Sequence, residues 1–456
     1  MVSDRKLKTK SLLGIKNMLI KSANIVDPAI EKEFKSDILI ENGIIKDIGS
    51  GIKGGSLVDF KEIFKESRFS FADNLLLIDA TDYSISPGFF DMHVHLRDPG
   101  NEDEENLESG INSALKGGIT AVACMPNTDP PIDKDFLVKY INNRALALGF
   151  KVYPVAAITK RLEGIEMTEM GILKECGAIA FSDDGKCIQD AKLMYEIMKY
   201  CRNLNIPLIL HEEYYTFSCF GLINEGYYSS MLGLDGISPL AEELVITRDI
   251  MLAKKTRAQI HITHVSTKGS VELIKKAKED GLNITCDVTP HHLYFDDSHL
   301  KDYNTNLKVN PPLRSSEDRE ALIEGVRSGI IDAIASDHAP HLESEKNTTF
   351  KEASNGVIGM ETLFKASYTQ LCKKDNLSFI KLIKLLTLSP PKILGLNSPL
   401  LKLGLKADIA ILDLEKEVVV KKEDFYSKSS NCAFIGEKLA GEVIMTINNG
   451  EIRQAN

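Results

Sequence analysis

The segment DMHVHLRDPG places His93 and His95 two residues apart in a β-prone run. Strand side chains alternate, so both imidazoles project from one face and can share one metal ion. Taken alone, such a pair is as often two satisfied polar residues as two ligands. Its company changes the balance: further short apolar runs end on Asp183 and Asp184, on His211, on His264 and on Asp337. Imidazoles and carboxylates without a thiolate suit Zn2+, with Mn2+ or Co2+ as substitutes. These donors outnumber what one tetrahedral ion takes. Two ions bridged by a carboxylate and a hydroxide would account for all but one of them, generating a nucleophile at neutral pH and polarising a carbonyl.

Eight elements must carry these residues. From Phe89 onward, β-prone runs alternate with helix-patterned stretches, the signature of parallel βα units. The runs are Phe89 to Leu96, Ala121 to Met125, Val152 to Ile158, Ala178 to Ser182, Pro207 to His211, Ile260 to Val265, Ile284 to Val288 and Ile331 to Ser336. Helical stretches include Glu104 to Lys116, Ala191 to Leu204, Ser270 to Asp280 and Ser316 to Arg327. This pattern predicts an α/β fold, a (β/α)8 TIM barrel, whose chemistry belongs at the C-terminal ends of the strands. An open doubly wound sheet would want a glycine-rich phosphate turn after its first strand, and RDPGNEDEEN is acidic instead.

Before the barrel, Met18 to Val26 and Asp37 to Ile48 alternate around an Asn42-Gly43 turn. Similar material returns in Ala407 to Leu412 and Glu442 to Ile447, followed by Asn449-Gly450. The expected organisation is a barrel over 88–397, with 1–87 and 398–456 pairing into one small composite β domain. Phe60 to Asn74, charged and aperiodic, is expected to be a surface insertion.

A formal charge of -10 argues against a nucleic-acid surface and for a small-molecule partner. The eight cysteines include no C-x-x-C pair and favour a reducing cytoplasm. No stretch approaches the roughly 20 apolar residues of a membrane span. The first dozen residues read as a loose polar extension rather than a signal peptide.

HVHLRDPG, MPNTDPP, FSDDG, HVST, TPHHL, KVNPPLR and ASDHAPH occur in the order and spacing of class I dihydroorotases, which the chain resembles over nearly its whole length. The resemblance implies reversible cyclisation of N-carbamoyl-L-aspartate to L-dihydroorotate, a step of pyrimidine synthesis. It implies Zn2+, one or two ions per subunit, with His93, His95 and Asp337 on the first, His211 and His264 on the second, and Asp184 bridging. Adjacent strand residues point opposite ways, and the match selects Asp184 over Asp183 for the mouth. A metal-bound hydroxide would attack the ring carbonyl, with Asp337 as general base and then acid. Arg97 would offer a bidentate fork to the substrate carboxylate, with Asn127 and His341 completing that pocket. Asn310 would also contact substrate, as would the backbone around Asn355 and Gly356 in a lid or clamp over Glu343 to Gly356. His291 and His292 would be structural or behind the ligands, Glu212 at most behind them, and His261 and His299 ordinary polar residues.

Hydantoinases and allantoinases share this pattern but bridge their metals with a carbamylated lysine at the end of strand four. Lys186, past Gly185, would be a poor substitute. A noncatalytic partner of aspartate carbamoyltransferase would have lost ligands, and none is missing here. Association with that transferase suits an active enzyme too, and symmetry base rates favour a homodimer.

Overall fold

The computed structural model describes residues 12–52, 69–72 and 75–455. Eight strands pair in parallel in chain order: Phe89–Val94, Ile119–Cys124, Lys151–Ala157, Ala180–Ser182, Leu208–Leu210, Ile260–Ile262, Ile284–Val288 and Ala333–Ile334. The barrel closes where Val94 bridges His338 and the His95 amide donates to the His338 carbonyl at 2.8 Å. This is the expected (β/α)8 architecture.

Several ladders end before the expected runs do, and the reason is local. Arg97, His264 and Asp337 have φ of 59°, 34° and 48°. Side chains with a Cβ rarely adopt this left-handed region, at a cost of about 1–3 kcal/mol each. The backbone therefore leaves the ladder just where chemistry-bearing residues begin.

The first strand carries a second irregularity, a register shift between Asp91 and Val94. Phe90 and Met92 pack in the barrel interior with Val155, Ala180 and Ile209. Val94 and Leu96 pack outward among the helices with Leu107 and Ile111. Strict alternation from Phe90 and Met92 would turn His93 and His95 outward as well, whereas the shift re-aims them inward, a common role of bulges beside active sites. The Asp91 carboxylate supports the shift by accepting from the His93 and Ser336 amides at 3.3 and 3.1 Å.

Helices pack apolar residues against this barrel. Leu107–Lys116 starts at Asn106, whose side chain accepts from the Ser109 amide, and buries Leu107, Ile111, Ala114 and Leu115. No helix among the described residues is long and apolar enough to cross a membrane.

Both chain ends meet in a nine-stranded sheet. Met18–Asp27 lies between Lys32–Glu41 and Ser84–Pro87, and Ser84–Pro87 pairs on its other edge with Ile409–Val419, beyond which lie Lys438–Asn448 and Glu451–Ala455. The Asn42-Gly43 turn joins Lys32–Glu41 to Ile44–Gly49, with φ of 52° and 78°, as an Asn-Gly hairpin turn requires. Asn449-Gly450 makes the equivalent turn at the other end of the chain. The two turns touch: a Cβ on Gly43 would lie 2.9 Å from the Gly450 Cα, so both positions need glycine. Of the expected insertion over 60–74, residues 69–72 form a strand antiparallel to Leu75–Asp79. The remainder of that stretch, and most of the expected polar extension, lie outside the described residues.

Glu361, in the turn before the helix Leu363–Ser367, accepts from the Tyr426 and Ser427 amides at 2.8 and 3.1 Å and so ties the barrel to the C-terminal segment. Burial pushes its carboxyl from 4.5 up to about 7, against those hydrogen bonds. A raised carboxyl favours the folded form below the unfolded value, and that advantage is lost as pH rises from 4.5 towards 7. Glu361→Gln, which does not titrate, should therefore gain on the wild type between pH 5 and pH 8, by about 2–3 kcal/mol at most. Denaturant unfolding at the two pH values measures this; an equal difference at both would contradict it.

Candidate active site

The expected ligand residues converge at the C-terminal mouth of the barrel. His93 and His95 come from the first strand end, Asp184 from the fourth, His211 from the fifth, His264 from the sixth and Asp337 from the eighth, all buried. Asp184 faces two groups at once. Its Oδ2 lies 3.3 Å from His93 Nε2 and 3.4 Å from His95 Nε2, and its Oδ1 lies 3.8 Å from both His211 Nδ1 and His264 Nε2. Asp337 Oδ1 stands beside the first group, 3.1 Å from His95 Nε2 and 3.5 Å from His93 Nε2. His211 Nδ1 and His264 Nε2 are 3.0 Å apart.

Burial alone would raise Asp184 and Asp337, but the surrounding histidines outweigh it and hold both carboxyls well below the ordinary range. Conversely, burial works against a charged His93, yet Asp184 and Asp337 push it up to about 10. The pocket thus favours positive charge. His93 Nε2 and Asp184 Oδ1 are buried with no hydrogen-bond partner, a costly condition unless such atoms are ligands. The donor set, imidazole and carboxylate only, fits divalent cations of the zinc type. His93, His95 and Asp184 form one close group and Asp184, His211 and His264 another, so two ions could share Asp184.

Asp183 is turned the other way. Its oxygens accept from the Ile158 and Thr159 amides at 2.8 and 2.9 Å and from the Thr159 hydroxyl, a stitch between the third and fourth strand ends. Lys186 is exposed. His291 and His292 are buried, and His292 Nε2 donates to the Pro311 carbonyl at 3.0 Å. Burial drives His292 down to about 4, which keeps it neutral. Glu212 is buried against Asp249, and burial followed by that neighbouring charge raises its carboxyl well above the ordinary range.

The expected substrate contacts line the same mouth, but several are already engaged. Arg97 Nε donates to the Pro340 carbonyl at 3.1 Å and forms an ion pair with Glu104 at 2.8 Å, so any fork must be made by its terminal nitrogens. Asn127 Oδ1 lies 2.7 Å from His95 Nδ1, which leaves its amide nitrogen for a ligand. His341 Nε2 donates to the Asn355 carbonyl at 2.8 Å and ties down the loop. That loop, 343–356, is also pinned from beneath. Lys346 Nζ donates to the Ser354 and Gly356 carbonyls at 2.7 and 3.0 Å, and Lys308 Nζ to the Ala353 carbonyl at 2.6 Å. Gly356, at φ 122°, admits no side chain, because a Cβ would lie 2.7 Å from the Ala339 Cβ.

Sequence reasoning passed over Glu213 and Glu104. Glu213 Oε2 lies 3.2 Å from His211 Nε2 and accepts from Asn310 Nδ2 at 3.1 Å, joining a ligand-type histidine to an expected substrate contact. The signal was available: Glu213 follows His211 by two residues, as His95 follows His93. Glu104, His341 and Glu345 make a third close group, but Arg97 supplies a cation there already.

A (β/α)8 barrel with imidazoles and carboxylates at its mouth, and a β domain built from both chain ends, defines an amidohydrolase. The family model described as "Dihydro-orotase-like" matches residues 83–270. A dihydroorotase of Caldicellulosiruptor saccharolyticus is 46% identical over 95% of this chain and 98% of its own length. One from Acetivibrio thermocellus is 44% identical with the same coverage. The chain belongs to the dihydroorotase family. Among solved structures, an L-hydantoinase (dihydropyrimidinase) from Arthrobacter aurescens superposes with a TM-score of 0.80 at 24% identity, covering 96% of this chain and 98% of its own, a likeness of fold.

The two aspartates should separate cleanly by mutation. Asp184→Ala should lower the divalent metal retained after dialysis. Asp183→Ala should retain it and instead lose about 1–3 kcal/mol of stability through orphaned amides. Metal analysis beside denaturant unfolding checks both, and the reverse pattern would exchange their roles.

Proposed function

We propose that this chain is a zinc-dependent class I dihydroorotase, interconverting N-carbamoyl-L-aspartate and L-dihydroorotate in pyrimidine synthesis. The observation that carries this reading is the pair of histidine groups sharing Asp184, with Asp337 against one of them, in a chain of this family. His93, His95 and Asp337 would hold one ion, His211 and His264 the other, and Asp184 both. Such ions, when bound, acidify water and polarise a carbonyl oxygen.

The chain's own residues account for the rest. In ring opening, the water oxygen bonds to the ring carbonyl carbon and the ring C–N bond breaks. Asp337, ionised in its histidine surroundings, accepts the water proton and returns it to the departing nitrogen. In ring closure it takes the proton from that nitrogen instead. The terminal nitrogens of Arg97, with Glu104 fixing the Nε side, receive the substrate carboxylate. Asn127, Asn310, His341 and the backbone at Asn355 and Gly356 complete the pocket, and Glu213 keeps Asn310 and His211 in register. A hydantoin-opening enzyme with a carbamylated bridging lysine is disfavoured, because Asp184 belongs to both close groups and Lys186 is exposed.

Purified protein supplied with zinc should hydrolyse L-dihydroorotate, followed by its ultraviolet absorbance, and leave hydantoin and allantoin intact. A chelator should abolish turnover and zinc should restore it. No turnover of dihydroorotate by protein with zinc bound would refute the assignment. Asp337→Asn should lower kcat by about 10²–10⁴-fold while zinc stays on Asp184, His211 and His264. Near-normal kcat in this variant would reduce Asp337 to a ligand.

A further inference from the structure

Behind the ligand histidines lies a buried chain of side chains that the reaction as described does not use. His93 turns Nε2 towards Asp184 and Asp337, and its other ring nitrogen, Nδ1, lies 2.6 Å from Thr263 Oγ1. Thr263 Oγ1 donates to Asp287 Oδ2 at 3.2 Å, and His261 Nε2 donates to the same oxygen at 2.8 Å. Asp287 Oδ1 accepts from the backbone amide of His264 at 2.7 Å. All five residues are buried.

Donor and acceptor counting orients this chain. An ionised carboxylate only accepts, and a hydroxyl has one proton. Thr263 spends its proton on Asp287, so it must accept from His93, and the His93 proton therefore sits on Nδ1. That leaves Nε2, which faces the carboxylates, as the nitrogen that exchanges its proton for a bound cation. Asp287 acts here only as an acceptor: its oxygens take the His261 ring N–H, the Thr263 hydroxyl and the His264 amide. On its second oxygen, Asp287 fixes the His264 backbone at φ 34°, a conformation not held without support.

We propose that Asp287, acting through Thr263 and the His264 amide and backed by His261, is the positioning residue that presets both metal subsites. His261, an ordinary polar residue by sequence, is then the far end of that clamp. Such partners fix the tautomer and ring orientation of a ligand histidine, and losing one typically costs about 10–100-fold in metal affinity. The inference rests on the metal-centre reading above.

Its test uses zinc alone. Apoprotein competes with a chromophoric chelator for Zn2+, so the readout is independent of any substrate. Thr263→Val keeps the shape and deletes the hydroxyl. It should weaken the tighter zinc site about 10–100-fold with the apoprotein Tm close to wild type, and Thr263→Ser should restore the affinity. A folded Thr263→Val protein binding zinc as tightly as wild type would overturn the proposal, leaving the network a stitch between the sixth and seventh strands. Should the valine variant not fold, wild-type protein labelled with 15N-histidine and loaded with zinc decides the matter. A proton on His93 Nδ1, coupled to a metal-shifted Nε2, is expected, and a proton on Nε2 would overturn it. Wild type that binds zinc but does not turn over dihydroorotate sinks the assigned reaction and leaves this clamp standing. Wild type that binds no zinc sinks both.

Discussion

Asp184 is a carboxylate with almost no access to water, and around it stand His93, His95, His211 and His264. Removing a charge from water is severely unfavourable unless opposite charge and hydrogen-bond donors replace the solvent. The barrel provides that replacement where the first, fourth, fifth and sixth strands end together. Burial and compensation are inseparable here: the same strand ends that exclude water from Asp184 deliver the imidazoles that keep it ionised. The binding preference for a cation, the ionisation of Asp337 and the polarity of the whole mouth follow from that juxtaposition.

Holding the arrangement requires the backbone to depart from regular geometry, and three of the departures have a visible support. The irregularity after Asp91 turns His93 and His95 inward, and the Asp91 carboxylate accepts the His93 and Ser336 amides there. The left-handed turn at His264 rests on Asp287. At Arg97, Glu104 and the Pro340 carbonyl hold the side chain beyond a similar turn. Strained backbone persists where its surroundings over-determine it, and here those surroundings are buried carboxylates.

The 343–356 loop shows the same economy with opposite charge. Lys346 and Lys308 place their ammonium groups under its backbone carbonyls. Burial first and Lys308 second bring Lys346 down to about 7. The loop is held by tethering its main chain as well as by burying Phe350 among Leu307, Val309 and Val357. A bundle of carbonyls converging on a cation gives direction as well as attraction, and so fixes the backbone at Asn355 and Gly356.

Much of this was legible in one sequence. Eight βα units, the two Asn-Gly turns and the ligand types at strand ends are local patterns, and local patterns survive without knowledge of the fold. The choice of Asp184 over Asp183 came from the family match, and its physical reason appears only in the fold, where the Ile158 and Thr159 amides donate to Asp183 and turn it away. The roles of His261 and Asp287 were not legible. His93 and Thr263 are 170 positions apart, and nothing near either residue announces the other. The sequence by itself determined which donors the mouth would contain. Only the tertiary structure decided which way each one points and what stands behind it, since both depend on strand register and on a bulge whose position is fixed when the barrel closes.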